Sequence, residues 1–163
     1  MKLAVLGGGG VRSVFLAKSL LNKADSLNID DIVFMDNDVQ KLNIYGGLAR
    51  GVADMSHSKA KFSYTSDAVE ALKDADFIIT TLRVGGDEAR VLDERIALNY
   101  GVLGQETTGA GGFSMALRSI PVLSEYLKMV KAYSKPWAKV FNFTNPSGII
   151  TQALRDEGFD NVY

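Results

Sequence analysis

"LAVLGGGGVRS", Leu3 to Ser13, is the stretch on which the fold class turns. A short apolar run ends in four consecutive glycines, and the amphipathic pattern of a helix starts directly beyond them. Strand, glycine turn and helix in immediate succession are the setting in which a dinucleotide fingerprint has meaning. Gly7 allows the tight turn, and Gly9 lets the backbone approach a pyrophosphate lying on the helix N-terminus. In this register the third glycine position holds Arg12; moving the register to Gly8 and Gly10 puts Ser13 there instead, which is no better. The candidate cradle is therefore Gly7, Gly8, Gly9, Gly10, Val11, Arg12 and Ser13. A glycine-rich turn that holds no ligand is the alternative.

Outward from this turn, apolar β-rich runs alternate with helical patterns. Strands are expected at Lys2–Leu6, Asp31–Met35, Lys61–Thr65, Phe77–Leu82 and Lys139–Thr144. Helices are expected over Val14–Leu21, across "VQKLNIYGGLARGVADM", over Ser66–Lys73 with Ser66 as cap, near Val91–Asn99, over Phe113–Tyr133 and over Ser147–Glu157. Pro121 should kink or split the fifth of these. The closing "NVY" reads as the start of a sixth strand. This alternation predicts an α/β fold, a Rossmann-like, doubly wound parallel sheet.

The second strand ends at Asp36, where a carboxylate would accept from the ribose hydroxyls of NAD and repel the extra phosphate of NADP. Asp38 competes for that role, and it can equally cap the following helix. Asp36 together with the fingerprint predicts a nucleotide site.

Composition narrows the function classes. Of 163 residues, 47% are hydrophobic and 23% charged, as in an ordinary globular domain. A formal net charge of −1 gives no reason to expect a nucleic acid partner. Runs such as "DFIITTL" are too short to span a bilayer, so no membrane partner is expected. Leu3–Leu6 is too short for a signal peptide, and a cytoplasmic location is the default. Without cysteine, the chain has neither a disulfide framework nor a thiolate metal site.

Three later segments carry more chemistry: "RVGGDEARVLDERIALNYGVLGQETTGAGGF", "MALRSIPVL" and "NFTNPSG". The glycine-rich loop in the first costs much backbone entropy, which suggests that something approaches its main chain. Together these segments resemble glycoside hydrolase family 4, specifically its 6-phospho-β-glucosidases. The resemblance runs from Met1 to the end of the chain and is strongest over Asp76–Gly148. It implies NAD and a divalent metal, usually manganese (Mn2+), used to cleave glycosides by a redox route outside the usual two-carboxylate scheme. In that route NAD takes a hydride from C3 of the sugar, a base removes the acidified C2 proton, and the aglycone leaves C1. Water then adds and the hydride returns.

The resemblance also implies residue roles. Arg90, in "DEAR", matches the arginine that binds the substrate 6-phosphate, and its planar donor fork suits that group. Asn145, in "TNPSG", matches an asparagine reaching sugar hydroxyls, and it can double as a helix cap. Arg83, in "LRVGG", is a second candidate for the 6-phosphate or else supports the cofactor; Thr107 and Thr108 are expected at the cofactor, lining the pocket with Glu106, with stabilisation of the loop as the alternative. Asn142 either contacts cofactor or ties the strand end. His57, in a polar loop, is given no role. The glycine-rich loop is expected to wrap nicotinamide and sugar. The family's metal ligands (a cysteine and a histidine) and its base (a tyrosine) all lie downstream of "NPSG". No catalytic or metal residue is therefore expected within 1–163, which reads as the NAD-binding Rossmann domain of a larger enzyme whose C-terminal domain is absent here. The implied substrate is a phosphorylated disaccharide or β-glucoside 6-phosphate, and a homo-oligomer is expected. A lactate- or malate-type 2-hydroxy acid dehydrogenase is the alternative; it shares the fold and offers no counterpart to "GQETTGAGGF".

Overall fold

The first apolar run forms β1 (Lys2–Leu6), and its neighbours in chain order are α1 (Ser13–Leu27), β2 (Asp31–Met35), α2 (Val39–Asp54), β3 (Lys61–Thr65), α3 (Ala68–Leu72) and β4 (Phe77–Thr80). Then come α4 (Gly86–Asn99), α5 (Ala110–Tyr133), β5 (Lys139–Asn142) and α6 (Ser147–Asp156). This computed structural model describes residues 1–163. The strands make one five-stranded sheet in the order β3-β2-β1-β4-β5. That is the Rossmann order, with strand order reversing beside β1. Two compact units are distinguished: Met1–Ile79 with Met129–Lys139, and Thr80–Lys128 with Val140–Tyr163.

In the first unit, β1 pairs with β2 from Lys2↔Asp31 to Leu6↔Met35, and β2 with β3 from Asp31↔Lys61 to Met35↔Thr65, both parallel. Ala4, Val5, Leu6, Ile32 and Phe34 have no exposed surface, as strands covered on both faces require. Phe34 meets Phe62 edge-on with ring centroids 5.0 Å apart. Asp76 binds three segments together: it accepts from Lys2 N (2.8 Å), Lys135 Nζ (2.9 and 3.0 Å) and Trp137 Nε1 (3.3 Å). Burial by itself would raise its pKa, but hydrogen bonds from Lys135, Lys2 and Trp137 outweigh this and hold the carboxyl below its usual range.

Several element ends differ from expectation. Helix α1 runs on past Leu21 to Leu27, where Asn28 in left-handed conformation (φ 53°) closes it. Helix α3 is capped by Asp67, not Ser66, with the Asp67 carboxylate accepting from Val69 N and Glu70 N. Strand β4 stops at Thr80, because the N–H of Leu82 is taken by Thr144 Oγ1 at 3.0 Å.

In the second unit, α4 begins at Gly86, not Val91. Its first turn is polar and so carries no apolar periodicity, while Asp87 and Glu88 suit the positive end of the helix dipole. Arg90 consequently sits on a helix. Helix α5 is not split: it runs through Pro121, which lies on the exposed side together with Leu117, whose carbonyl loses its partner and can be served by water. Strand β5 ends at Asn142, two residues early, because its side chain turns the chain by accepting from Thr144 N at 3.0 Å. The "NVY" end pairs beside β5, with a parallel bridge Val140↔Val162 and Asn142 N donating to Tyr163 O at 2.8 Å.

Candidate functional site

The glycine turn of the first unit is built by the end of β2. Gly7 N and Gly8 N both donate to Met35 O (2.9 and 2.8 Å), and Gly7 adopts φ 99°. Gly9 N donates to Asp36 Oδ2 at 2.8 Å. A Cβ at Gly8 would lie 2.7 Å from Phe34 Cβ, and one at Gly9 would lie 2.9 Å from Asp36 Cγ. These two glycines are therefore required by the protein's own packing. The next three N–H groups, of Gly10, Val11 and Arg12, donate to nothing in the protein. They stand immediately before α1, whose cap residue Arg12 supplies no side-chain hydrogen bond. Free N–H groups at an uncapped helix start suit a phosphate.

Asp36 closes this turn while remaining half-exposed. Its Oδ1 accepts from Asp38 N at 3.0 Å and its Oδ2 from Gly9, leaving each oxygen able to accept once more. Asp38 is occupied as the cap of α2, accepting from Lys41 N at 3.0 Å. Hydrogen bonds from the Lys41 backbone and side chain hold its carboxyl low.

The second unit gathers charged side chains around Glu106. Arg83 Nη1 lies 3.3 Å from Glu106 Oε1, and Arg90 Nε lies 3.5 Å from Glu106 Oε2 and 2.9 Å from Glu94 Oε1. Glu94 first, then Glu106, raises the pKa of Arg90 further. The terminal nitrogens of Arg90 make no hydrogen bond within the protein, so its outer fork is open. A second pair was not apparent in the sequence. Arg118 Nη1 and Nη2 contact both oxygens of Asp93 at 3.2 and 2.7 Å, and Arg118 Nε donates to Val84 O at 2.9 Å. The available signal was a lone arginine in apolar "MALRSIPVL" and a lone aspartate on the buried stripe of α4, shared with Ala97.

The glycine-rich loop turns inward. A Cβ at Gly104 would lie 2.6 Å from Glu94 Cα, one at Gly109 would lie 2.9 Å from Gln105 Cβ, and one at Gly112 would collide with Glu106 O. What approaches this main chain is the chain itself. Thr108 Oγ1 donates to Gln105 Oε1 at 3.1 Å, and Thr107 is exposed. Asn142 ties the strand end: Thr80 Oγ1 donates to its Oδ1 at 2.8 Å, and its Nδ2 donates to Thr151 Oγ1 at 3.0 Å. Asn145 is exposed and is not the helix cap, a position held by Pro146. His57 is exposed. An open cleft of about 560 Å³ lies over the start of α6, bordered by Asn142, Ser147, Thr151, Arg155 and Tyr163.

The model of the family 4 glycosyl hydrolases matches residues 2–159. The chain belongs to glycosyl hydrolase family 4. Within that family, the 6-phospho-beta-glucosidase BglT of Thermotoga maritima is 41% identical over 158 residues, covering 96% of this chain and 36% of that protein. A 6-phospho-beta glucosidase structure from Thermotoga maritima, solved with manganese, NAD+ and glucose-6-phosphate, superposes with a TM-score of 0.89 at 38% identity, covering 99% of this chain and 39% of that one. Family 4 relatives named for phospho-alpha-glucosides or maltose-6'-phosphate match at 32–36% identity. A malate dehydrogenase from Salinibacter ruber shares the fold alone, at 13% identity, TM-score 0.66 and coverage of 98% of this chain and 41% of that one. The chain spans little more than a third of the length of these family 4 relatives.

Proposed function

We propose that residues 1–163 are the NAD-binding portion of a larger 6-phospho-β-glucosidase, and that this chain also supplies part of its sugar-phosphate site. The observation that carries the reading is the turn in the first unit: three free N–H groups from Gly10 to Arg12 ahead of α1, with Asp36 beside them. These residues fit a dinucleotide. The N–H groups would take the pyrophosphate, and the spare acceptors of Asp36 would take ribose hydroxyls. When bound, NAD accepts a hydride from the sugar and later returns it. On the second unit, Arg83, Thr107 and Thr108 are assigned to the cofactor. Arg90 is assigned to the 6-phosphate through its open fork, and Asn145, exposed and without a capping duty, to sugar hydroxyls.

The residues present do not fit a manganese site. No three His, Cys, Asp or Glu side chains come together. The β preference rests on the higher identity of relatives named for β-glucosides. No helix of the chain is long and apolar enough to cross a membrane. The test is an assay of the intact enzyme carrying this segment, with NAD, manganese and nitrophenyl 6-phosphoglucosides of both anomers. Cleavage of the β-anomer that stops without NAD is expected. Turnover of 2-hydroxy acids instead would favour the dehydrogenase reading.

A further inference from the structure

Arg118 projects from α5 into the loop that follows β4 and joins three things at once. Its Nε donates to Val84 O at 2.9 Å, and its two terminal nitrogens grip Asp93 at 3.2 and 2.7 Å. Asp93 is 7% exposed and Arg118 about a quarter exposed, so the pair is shielded from solvent and held in a planar two-point geometry. The loop being held contains Gly85 and Gly86, both with positive φ (82° and 62°), a flexible hinge unless something fixes it. A Cβ on Gly85 would lie 3.0 Å from Arg118 Nε, so the side chain fills the space against that turn. On one side of the hinge stands Arg83; on the other, Arg90 lies one turn of α4 before Asp93.

We infer that Arg118 is a positioning residue: by clamping Val84 O and Asp93 together it sets the direction in which Arg90, one turn before Asp93 on α4, presents its guanidinium group beside Glu106. The fork matters as much as the charge. Three donors in one plane fix the loop carbonyl and the helix relative to each other, which a lysine ammonium on a flexible stem cannot do. Because the group it aims is Arg90, its effect belongs to sugar-phosphate recognition.

The inference rests on Arg90 receiving the 6-phosphate, and the test separates the two claims. In the intact enzyme carrying this segment, Arg118→Lys, Asp93→Asn and Arg90→Ala are compared with 4-nitrophenyl 6-phospho-β-glucoside as substrate, each checked for a cooperative thermal transition. Arg118→Lys should raise KM about tenfold, with kcat within threefold and the NAD concentration for half-maximal activity unchanged. Asp93→Asn should move KM in the same direction. A lowered kcat at unchanged KM would mean that the pair only supports folding and would overturn the inference. Wild-type KM in both Arg118→Lys and Asp93→Asn, while Arg90→Ala raises it, would overturn it equally. If Arg90→Ala leaves KM unchanged, the phosphate assignment itself falls, and the positioning role with it.

Discussion

With one oxygen of Asp36 accepting from Gly9 and the other from Asp38, removing this carboxylate loosens the turn and deletes the acceptors proposed for ribose. Asp36→Ala should therefore raise the NAD dissociation constant at least about tenfold and weaken discrimination against NADP, both read by calorimetry. Asp36→Asn keeps an acceptor for the Gly9 N–H and gives up the bond from Asp38 N, so it should retain the glycine turn while losing the repulsion of NADP. Unchanged NAD affinity in Asp36→Ala would remove Asp36 from the site. For Arg90→Ala in the intact enzyme, KM for the 6-phosphoglycoside should rise about 30- to 150-fold while NAD affinity holds. An equal loss for both ligands would point to folding instead. The position of Asp36 was legible because a strand end is a fixed address in this fold. Its bond to Gly9 was not, because the fingerprint credits that glycine to ligand approach, whereas here Gly9 is small to admit Asp36.

At the scale of elements, β1 and β2 were the most readable parts: their apolar runs are continuous because both of their faces are covered. Helix starts were less so. The apolar stripe of α4 begins at Val91, but the helix begins at Gly86, since charged residues can occupy a first turn without leaving a periodic trace. Ser66 and Asp67 are both capping residues, and only the geometry chooses between them. Asp67→Ala should cost about 1 kcal/mol in thermal or denaturant unfolding, whereas Ser66→Ala should cost nothing measurable. Two of the three arginines that the motifs point to as ligand-binding, Arg83 and Arg90, share Glu106. No motif shows such pairing, because it is set by the approach of the loop after α4 to the start of that helix.

For the whole molecule, Asp76 links acidity to folding. Its carboxyl is held low in the folded chain, against about 3.9 when unfolded. It thus contributes stability above the unfolded value, and that contribution is lost as pH falls through the folded one. Urea unfolding between about pH 6 and pH 2 should show this decline, and Asp76→Asn should flatten it while lowering stability at neutral pH. The 163-residue chain alone should bind NAD weakly and show no manganese-dependent hydrolysis of any 6-phosphoglycoside; clear turnover would place catalytic groups within these residues. The close-packed glycines from Gly104 to Gly112, in the loop before α5 and in its first turn, carry a consequence for mutational tolerance. A library scored only for cellular abundance, where neither sugar nor cofactor is selected for, should already reject alanine at Gly104 and Gly112, because the added methyl meets the backbone of Glu94 or Glu106. Intolerance at those positions would then record folding, and a ligand contact could be inferred only where abundance survives and turnover does not.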